Sequence, residues 1–543
     1  MDNNGGAFSD DLFEDMNGHQ QQQQQPHNTE FLSVHQSFGL NNNSNNNNNT
    51  RFKNNPSINN SNNNNNNHYD DNFNESSVMI YNFDHNDEED RENHQSIEVE
   101  SLTDTTKQKG VKIVLFIGVI TLFMILTSIG LYTFAKAREN KPIVDVGAYP
   151  TIVISLDGFR WDYLQRGVSP HLNYIKDNGF GANFTTPQFP SKTFPNHYSL
   201  ATGLRPEYHG IVGNHMYDPV SKKKFSDKDP SWYQWAEPIW VTAGKQNLTT
   251  ACYFWFGCSV PIKGYQPNYN YDTFTFTNVS KILGTVASWR GLSIETVNQT
   301  SPALTMAYIY EVDDNGHKFG PDSQQVNDAI AMVDNAIGDL ITTLKRQGTW
   351  EKTNMIVVSD HGMTALSKQR VVNLDDYFDT SKIIIGDTSP VCFIFPIEGK
   401  ITKEEVYESI HGKHPNMTVY YKEDIPAHFN LNNPNNPRIS PIIAITDLGW
   451  SIVTNSTIDW LENGNHGFNP DYQDMKSIFL AHGPNIKSTQ ENAKDSKNQP
   501  LPTTFQNIEL YNLLISLLNI NPENAAPNNG TSFLTDTIFK NLK

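Results

Sequence analysis

Three stretches decide the fold: IVISLD at residues 152–157, TMAYIYEVDD at 305–314 and MIVVSDH at 355–361. In each, a short unbroken run rich in β-branched and aromatic residues ends in acid. Runs of that length and composition read as strands buried on both faces. The predicted strands are Ile152–Leu156, Thr305–Tyr310 and Met355–Ser359. Asp157 follows the first, Glu311, Asp313 and Asp314 follow the second, and Asp360 and His361 follow the third. Helical patterns lie between and after them. Gln324–Arg346 spaces Val326, Ile330, Val333, Ile337, Leu340 and Leu344 at alternating steps of four and three, which lines one face of a helix. Gln506–Leu518 reads as another helix, with Ile508, Leu510, Leu513, Leu514 and Leu517 on its apolar face. Such alternation implies an α/β fold around a largely parallel sheet flanked by helices, and no internal repeat interrupts it.

Outward from this region the composition changes sharply. Residues 1–100 carry a glutamine run (Gln20 to Gln25) and asparagine tracts such as 45–49 and 62–67, and their apolar residues follow no period. Such a segment buries too little surface to offset its ordering entropy, so residues 1–107 are expected to be a disordered tail. The net charge of −19 is concentrated there: residues 1–100 hold 17 acids against three bases, Arg51, Lys53 and Arg91. The remainder is close to neutral, so global charge neither selects nor excludes a nucleic-acid partner. Ile113–Ala135 is an uncharged apolar run of 23 residues; crossing a bilayer as a helix takes roughly 20. It lies too far along the chain for a signal peptide and reads as one transmembrane helix. Its flanks do not orient it: Lys107, Lys109 and Lys112 precede it, and Lys136, Arg138 and Lys141 follow. Sequons at Asn183, Asn247, Asn278, Asn298, Asn416, Asn455 and Asn529 lean toward an outside C-terminal part. Residues 149–543 then form a single compact region. Of the three cysteines, Cys252 and Cys258 are close enough in sequence to pair, and Cys392 sits in the apolar run 391–395 as a core residue.

In open α/β sheets ligands bind beyond the carboxyl ends of the strands. Three strands ending in acid therefore gather carboxylates in one place, where unpaired burial is very costly. Cations resolve that cost, and Asp with His is a ligand set for zinc or a similar divalent ion. Taken singly, an Asp after a strand is a turn or cap residue, and Asp157-Gly158 is a common turn signal. Asp313-x-x-x-His317 and the adjacent Asp360-His361 are stronger, because each pairs an oxygen donor with an imidazole. In Pro190-Ser191-Lys192-Thr193-Phe194-Pro195-Asn196-His197, Thr193 stands just before a predicted helix with Pro195 in its first turn. On residue physics alone Thr193 is an N-cap. The competing reading is a helix start whose N–H groups and dipole face a phosphate, with the hydroxyl as nucleophile.

The sequence resembles the ectonucleotide pyrophosphatase/phosphodiesterase family of the alkaline phosphatase superfamily. The resemblance covers residues 149–543. It rests on ISLDGFRWDYL (154–164), PSKTFPNHYSLATGLRPEYHGIVGNHMYDP (190–219), EPIWVTA (237–243), YEVDDNGHKFGP (310–321), VSDHGM (358–363), GNHGF (464–468), SIFLAHGP (477–484) and the C-terminal block 507–534. It implies an alkaline-phosphatase-like domain with two zinc ions. Asp313, His317 and His466 would hold one; Asp157, Asp360, His361 and the Thr193 oxygen would hold the other. Thr193 would be the nucleophile, passing through a covalent nucleotidyl-threonine. Asn214 matches the residue that receives a phosphoryl oxygen together with the Thr193 backbone N–H. Lys192, Phe194, Trp255 and Tyr271 would bind substrate, the aromatics gripping a base. Phe256 stands where the family has Pro, His215 where several nucleotide-specific members have Lys, and Asn469-Pro470 where Asp-Asn is usual.

The implied substrates are extracellular nucleotides or dinucleoside polyphosphates, cleaved at phosphodiester or pyrophosphate bonds, with no stable nucleic-acid partner. The family's type II topology places the tail inside and the enzyme outside, at the plasma membrane or an endomembrane. Two alternatives differ in substrate or in class. One is a choline- or lipid-phosphodiester hydrolase on the same scaffold, which needs an acidic or aromatic pocket for a quaternary ammonium. The other is an inactive binding module, which the complete set of Thr193, Asn214 and six ligands argues against.

Overall fold

The computed structural model describes residues 116–129, 149–271, 278–292, 300–491 and 503–540. The expected tail lies outside the described residues. Of the expected span, residues 116–129 are helical with exposed side chains, and the rest of Ile113–Ala135 lies outside them. Among the described residues no helix is long and apolar enough to cross a membrane.

A seven-stranded sheet organises the region from residue 149. Its strands are β1 (Thr151–Leu156), β2 (Phe180–Gly181), β3 (Thr250–Tyr253), β4 (Tyr269–Tyr271), β5 (Leu304–Ile309), β6 (Asn354–Val358) and β7 (Phe479–His482). The spatial order is β2-β7-β6-β1-β5-β3-β4. β6, β1, β5, β3 and β4 run parallel. β7 alone runs against the rest, pairing antiparallel with both β6 and β2, so the sheet is mixed but largely parallel, as expected. The three predicted strands lie within one residue of β1, β5 and β6.

Burial on both faces explains the unbroken apolar runs. Val153 of β1 joins one core cluster with Met306, Ile356 and Phe479. Its neighbours Ile152, Ile154 and Leu156 join the opposite cluster with Ile309, Val357 and Leu480. The first face is covered by α1 (Thr193–Thr202) and the helix Glu509–Leu517, the second by α3 (Gln324–Arg346) and the helix Val279–Arg290. α2 (Glu311–Phe319) leaves the end of β5 directly. α3 has the predicted bounds, and Ser323 Oγ accepts the Val326 N–H at its start. The C-terminal helix starts three residues later than its apolar pattern, at Glu509, because Thr504–Gln506 pairs as a strand with Phe184–Thr186.

The sequence reading did not separate out a second sheet, four-stranded and antiparallel, of Ile383–Ile385, Val391–Pro396, Met417–Tyr421 and Ile442–Thr446. It has its own core, which includes Cys392. Cys252 at the end of β3 is disulfide-bonded to Cys258.

Asp334 of α3, 1 % exposed, ties a helix to this scaffold. Its carboxylate accepts the Leu172 N–H at 2.7 Å and the His171 N–H at 3.1 Å, and contacts His171 Nδ1 at 2.8 Å. An anion there satisfies the unpaired donors at the start of helix Pro170–Asn178, which lacks a side-chain cap of its own. Asp334→Ala is expected to cost roughly 2–4 kcal/mol, read as a lower urea midpoint, because charged hydrogen bonds are lost and donors are left buried.

Candidate active site

β6, β1 and β5 are adjacent and parallel, so their carboxyl ends open at one edge. Asp360 and His361, Asp157, and the first turn of α2 therefore meet there. Gly158 permits the close approach. Its φ is +63°, and a Cβ at that position would lie 2.6 Å from Asp313 Oδ1. Asp313 and His317, one helical turn apart on α2, face the same way with His317 Nε2 3.3 Å from Asp313 Oδ2.

Two ligand groups result. Asp313, His317 and His466 form one, Asp157, Asp360 and His361 the other, and within each the candidate ligand atoms lie within 4.8 Å of one another. The rings of His361 and His466 stack at 3.5 Å and join the groups.

The donor chemistry fits cations. Asp157 Oδ1, Asp313 Oδ1 and Asp360 Oδ2 are buried and accept no hydrogen bond. Buried acceptors are rarely left so. All three imidazoles turn Nδ1 to a backbone carbonyl: His317 to Gly464 at 3.0 Å, His361 to Gly362 at 2.9 Å and His466 to Ser191 at 3.0 Å. A carbonyl only accepts, so each Nδ1 carries a hydrogen and Nε2 is the atom each ring turns to the cluster. The Nε2 atoms of His317 and His466 lie 3.1 Å apart, a convergence of lone pairs that a shared cation satisfies.

Electrostatics agree. Burial, reinforced by Asp360 and Asp313, pushes the Asp157 carboxyl well above the usual carboxylate range. Burial and the neighbouring His361, His317 and Lys192 hold His466 well below its usual value, in the neutral form a metal needs. His317 goes the other way: burial lowers it, but Glu462 and Asp313 outweigh burial. Glu462 Oε2 lies 2.6 Å from His317 Nδ1.

Thr193 does not cap its helix. α1 begins at Thr193, and its N-cap residue, Lys192, makes no side-chain cap hydrogen bond. The Thr193 hydroxyl instead lies 3.2 Å from His361 Nε2. Asn214 Oδ1 accepts the Phe194 N–H at 3.0 Å, which leaves its NH2 as the side chain's remaining donor.

The four residues expected to bind substrate are placed differently. The Lys192 ammonium is buried against Asp387 at 2.9 Å, so it is neutralised rather than offered to an anion. Trp255 is 2 % exposed, donates its indole N–H to the His197 carbonyl and lines the same cavity as Tyr271. Phe256, the residue that replaces Pro, lies against Phe194 at 4.2 Å between ring centroids. Tyr271 is half-exposed, stacks on Tyr253 at 5.3 Å, and lines one cavity with Phe254, Phe256, Asp227 and Lys228.

Tyr308, Glu462, His197 and Asp387 were missed. Tyr308 donates to Asp157 Oδ2 at 2.5 Å. His197 Nδ1 lies 2.9 Å from the Thr193 carbonyl and 3.3 Å from Asp360 Oδ2. Their partners are mostly more than a hundred residues away, and no local spacing marks them.

The sequence profile described as "Type I phosphodiesterase / nucleotide pyrophosphatase" matches residues 151–469. The chain is 40 % identical over 389 residues to human ectonucleotide pyrophosphatase/phosphodiesterase family member 5, covering 70 % of this chain and 76 % of that protein. It is 39 % identical over 418 residues to human bis(5'-adenosyl)-triphosphatase ENPP4, covering 76 % and 85 %. The structure of murine ectonucleotide pyrophosphatase/phosphodiesterase 5 superposes with a TM-score of 0.64 at 38 % identity, over 72 % of this chain and all of that one. The same murine protein, in an inactive Thr-to-Ala form holding AMP, superposes with the same score over the same shares of both chains.

The raised Asp157 carboxyl makes a signed prediction. A folded-state pKa above the unfolded value lowers stability as pH rises past the usual carboxylate range. In chelator, Asp157→Asn is therefore expected to melt a few degrees above the unsubstituted protein at pH 7.5, with the gain vanishing toward pH 4. Added Zn2+ is expected to raise the melting temperature of the unsubstituted protein more than that of Asp157→Asn. Scanning fluorimetry reads both.

Proposed function

Because the chain belongs to the type I phosphodiesterase/nucleotide pyrophosphatase family, we propose that it hydrolyses phosphodiester and pyrophosphate bonds of nucleotides, dinucleoside polyphosphates among them. The reading is carried by one observation: the Thr193 hydroxyl is released from capping and held beside His361, where two cation-ready clusters adjoin.

In this reading two Zn2+ ions are held by Asp313, His317 and His466, and by Asp157, Asp360, His361 and the Thr193 oxygen. When bound, they supply Lewis-acid stabilisation of charge on the attacking and leaving oxygens. The chain's own residues do the rest. The Thr193 carbonyl, fixed by His197, and the α1 backbone aim Oγ1 at phosphorus. Oγ1 gives up its proton to solvent and bonds to phosphorus as the bond to the leaving oxygen breaks, giving a nucleotidyl-threonine. Water then cleaves that ester and restores the hydroxyl. Asn214 NH2 and the Thr193 N–H meet the charge on a phosphoryl oxygen. Tyr308 holds Asp157 in orientation throughout. Tyr271 and Phe256 offer aromatic faces to the base.

The matching relatives suggest the site of action. We place residues 149–543 outside the cell or in an endomembrane lumen, behind an anchor at Ile113–Ala135 and a tail at 1–107.

Three nitrophenyl substrates test the activity: a nucleotide diester, phosphorylcholine and a phosphate monoester. Turnover of the first is expected, abolished by EDTA, and at least ~10³-fold lower in Thr193→Ala. Preference for phosphorylcholine would replace nucleotide with choline ester as the substrate, and full activity in Thr193→Ala would remove it as nucleophile. For the anchor, the full chain is expected to stay in membranes through alkaline carbonate, whereas residues 142–543 are released.

A further inference from the structure

We propose that Asp387 is a positioning residue for the phosphoryl-oxygen pocket, an inference that rests on the role given to Asn214 above. Asp387 lies in the turn before strand Val391–Pro396 of the second sheet. The turn is pinned by Gly386 N–H to the Phe393 carbonyl at 2.9 Å and Phe393 N–H to the Asp387 carbonyl at 3.0 Å. Its side chain is 4 % exposed. One carboxylate oxygen takes the Lys192 ammonium at 2.9 Å, and His215 Nδ1 lies 3.7 Å from the same oxygen. The other takes the Asn214 backbone N–H at 2.8 Å. Gly213 allows that approach, since a Cβ there would lie 2.7 Å from Asp387 Oδ2.

The consequence is a double anchor on Asn214. Asp387 fixes its backbone, and the Phe194 N–H fixes its side-chain oxygen. The remaining NH2 is then aimed by both. The same carboxylate grips Lys192, the residue before the nucleophile, so it holds both walls of the pocket in register. Gly467 closes this arrangement from above: its φ is +101°, and a Cβ there would meet Lys192 Cε and Pro390 Cδ, each at 2.8 Å.

This geometry predicts a loss confined to the transition state. Loosening a donor by about 1 Å costs on the order of 10²-fold in rate, and removing an oxyanion donor costs ~10²–10³-fold. The full chain loaded with Zn2+ is assayed on the nitrophenyl ester of thymidine 5'-monophosphate, with orthovanadate as a probe of the phosphoryl transition state. Asp387→Ala is expected to lower kcat roughly 30–100-fold with KM within about threefold, while retaining two metals per chain. Vanadate inhibition is expected to weaken by a similar factor and AMP inhibition to stay unchanged. Asp387→Ser, too short to reach the Asn214 N–H, carries the same expectations where the alanine variant does not fold. In the Lys192→Met, Asp387→Asn double variant the amide oxygen still accepts the Asn214 N–H without a lone buried ammonium. It is expected to recover about tenfold over Asp387→Ala.

A folded, metal-loaded Asp387→Ala with kcat within about threefold of the unsubstituted enzyme overturns the inference. So does a loss that follows metal content, or a rise in KM with kcat unchanged. Asn214→Ala separates the two levels. If it is slow while Asp387→Ala is fast, only the Asp387 role falls; if it too is fully active, the pocket and the reading beneath it fall together.

Discussion

The structure turns on the repulsion among three buried carboxylates. Asp157, Asp313 and Asp360 are each 2 % exposed or less, and parallel strands leave them no way to separate. Mutual repulsion of this kind is tolerable only with compensating charge. Much of the surrounding structure answers to it. Tyr308 takes one oxygen of Asp157, and His197 stands beside Asp360. Three backbone carbonyls hold Nδ1 of the imidazoles so that the Nε2 atoms point inward. Gly158 removes the side chain that would keep Asp313 away. None of these devices suits a site meant to stay free of cations, where an Asn or a buried hydrophobe would be more stable.

The same constraint bears on the two readings of Thr193. A cap hydroxyl serves its own helix and must turn back toward the first-turn N–H groups. Here the N-cap is Lys192, whose side chain is drawn off by Asp387, and the first-turn N–H of Phe194 is met from another segment, by Asn214 Oδ1. Leaving donors free at a helix start is costly unless an anion answers them. In the proposed reading the helix start and the carboxylate-rich, cation-ready clusters complement each other. There, one side would provide N–H groups for phosphoryl oxygens, the other carboxylates and imidazoles for metal.

What was legible in the sequence was what is encoded locally. Helix Gln324–Arg346 was readable to the residue because its apolar period and its Ser323 cap are both local. β1, β5 and β6 were readable because strands buried on both faces write continuous apolar runs. The early start read for the C-terminal helix came from a long-range event, the pairing of Thr504–Gln506 with Phe184–Thr186. The antiparallel β7 was invisible for the same reason: pairing direction is not written in a four-residue run. At the site, acids at strand ends were predictable from topology alone. His466 entered only through resemblance to a family, and resemblance alone favoured the nucleophile reading of Thr193, since a lone His in a loop and a Thr at a helix start carry no distinguishing physics. Lys192 is expected from resemblance to bind substrate, but a sequence cannot say that its ammonium is already engaged by Asp387.

The residues missed share one property that bears on how such sites diverge. Tyr308, Glu462 and Asp387 act on ligands or pocket walls that belong to other segments. Asp387 reaches its partners from the second sheet, which contributes no metal ligand. Metal ligands are bound by coordination geometry, so substituting one disables the centre outright. A positioning carboxylate is bound only by hydrogen-bond reach, so its effect is graded and can be retuned by shifting one turn. Phe256 and His215, where this chain departs from the pattern of its relatives, lie in that same outer layer: Phe256 against Phe194, and His215 beside Asp387. Differences of substrate within one metal chemistry are therefore expected to accumulate in this layer, because it can change without dismantling the centre it surrounds.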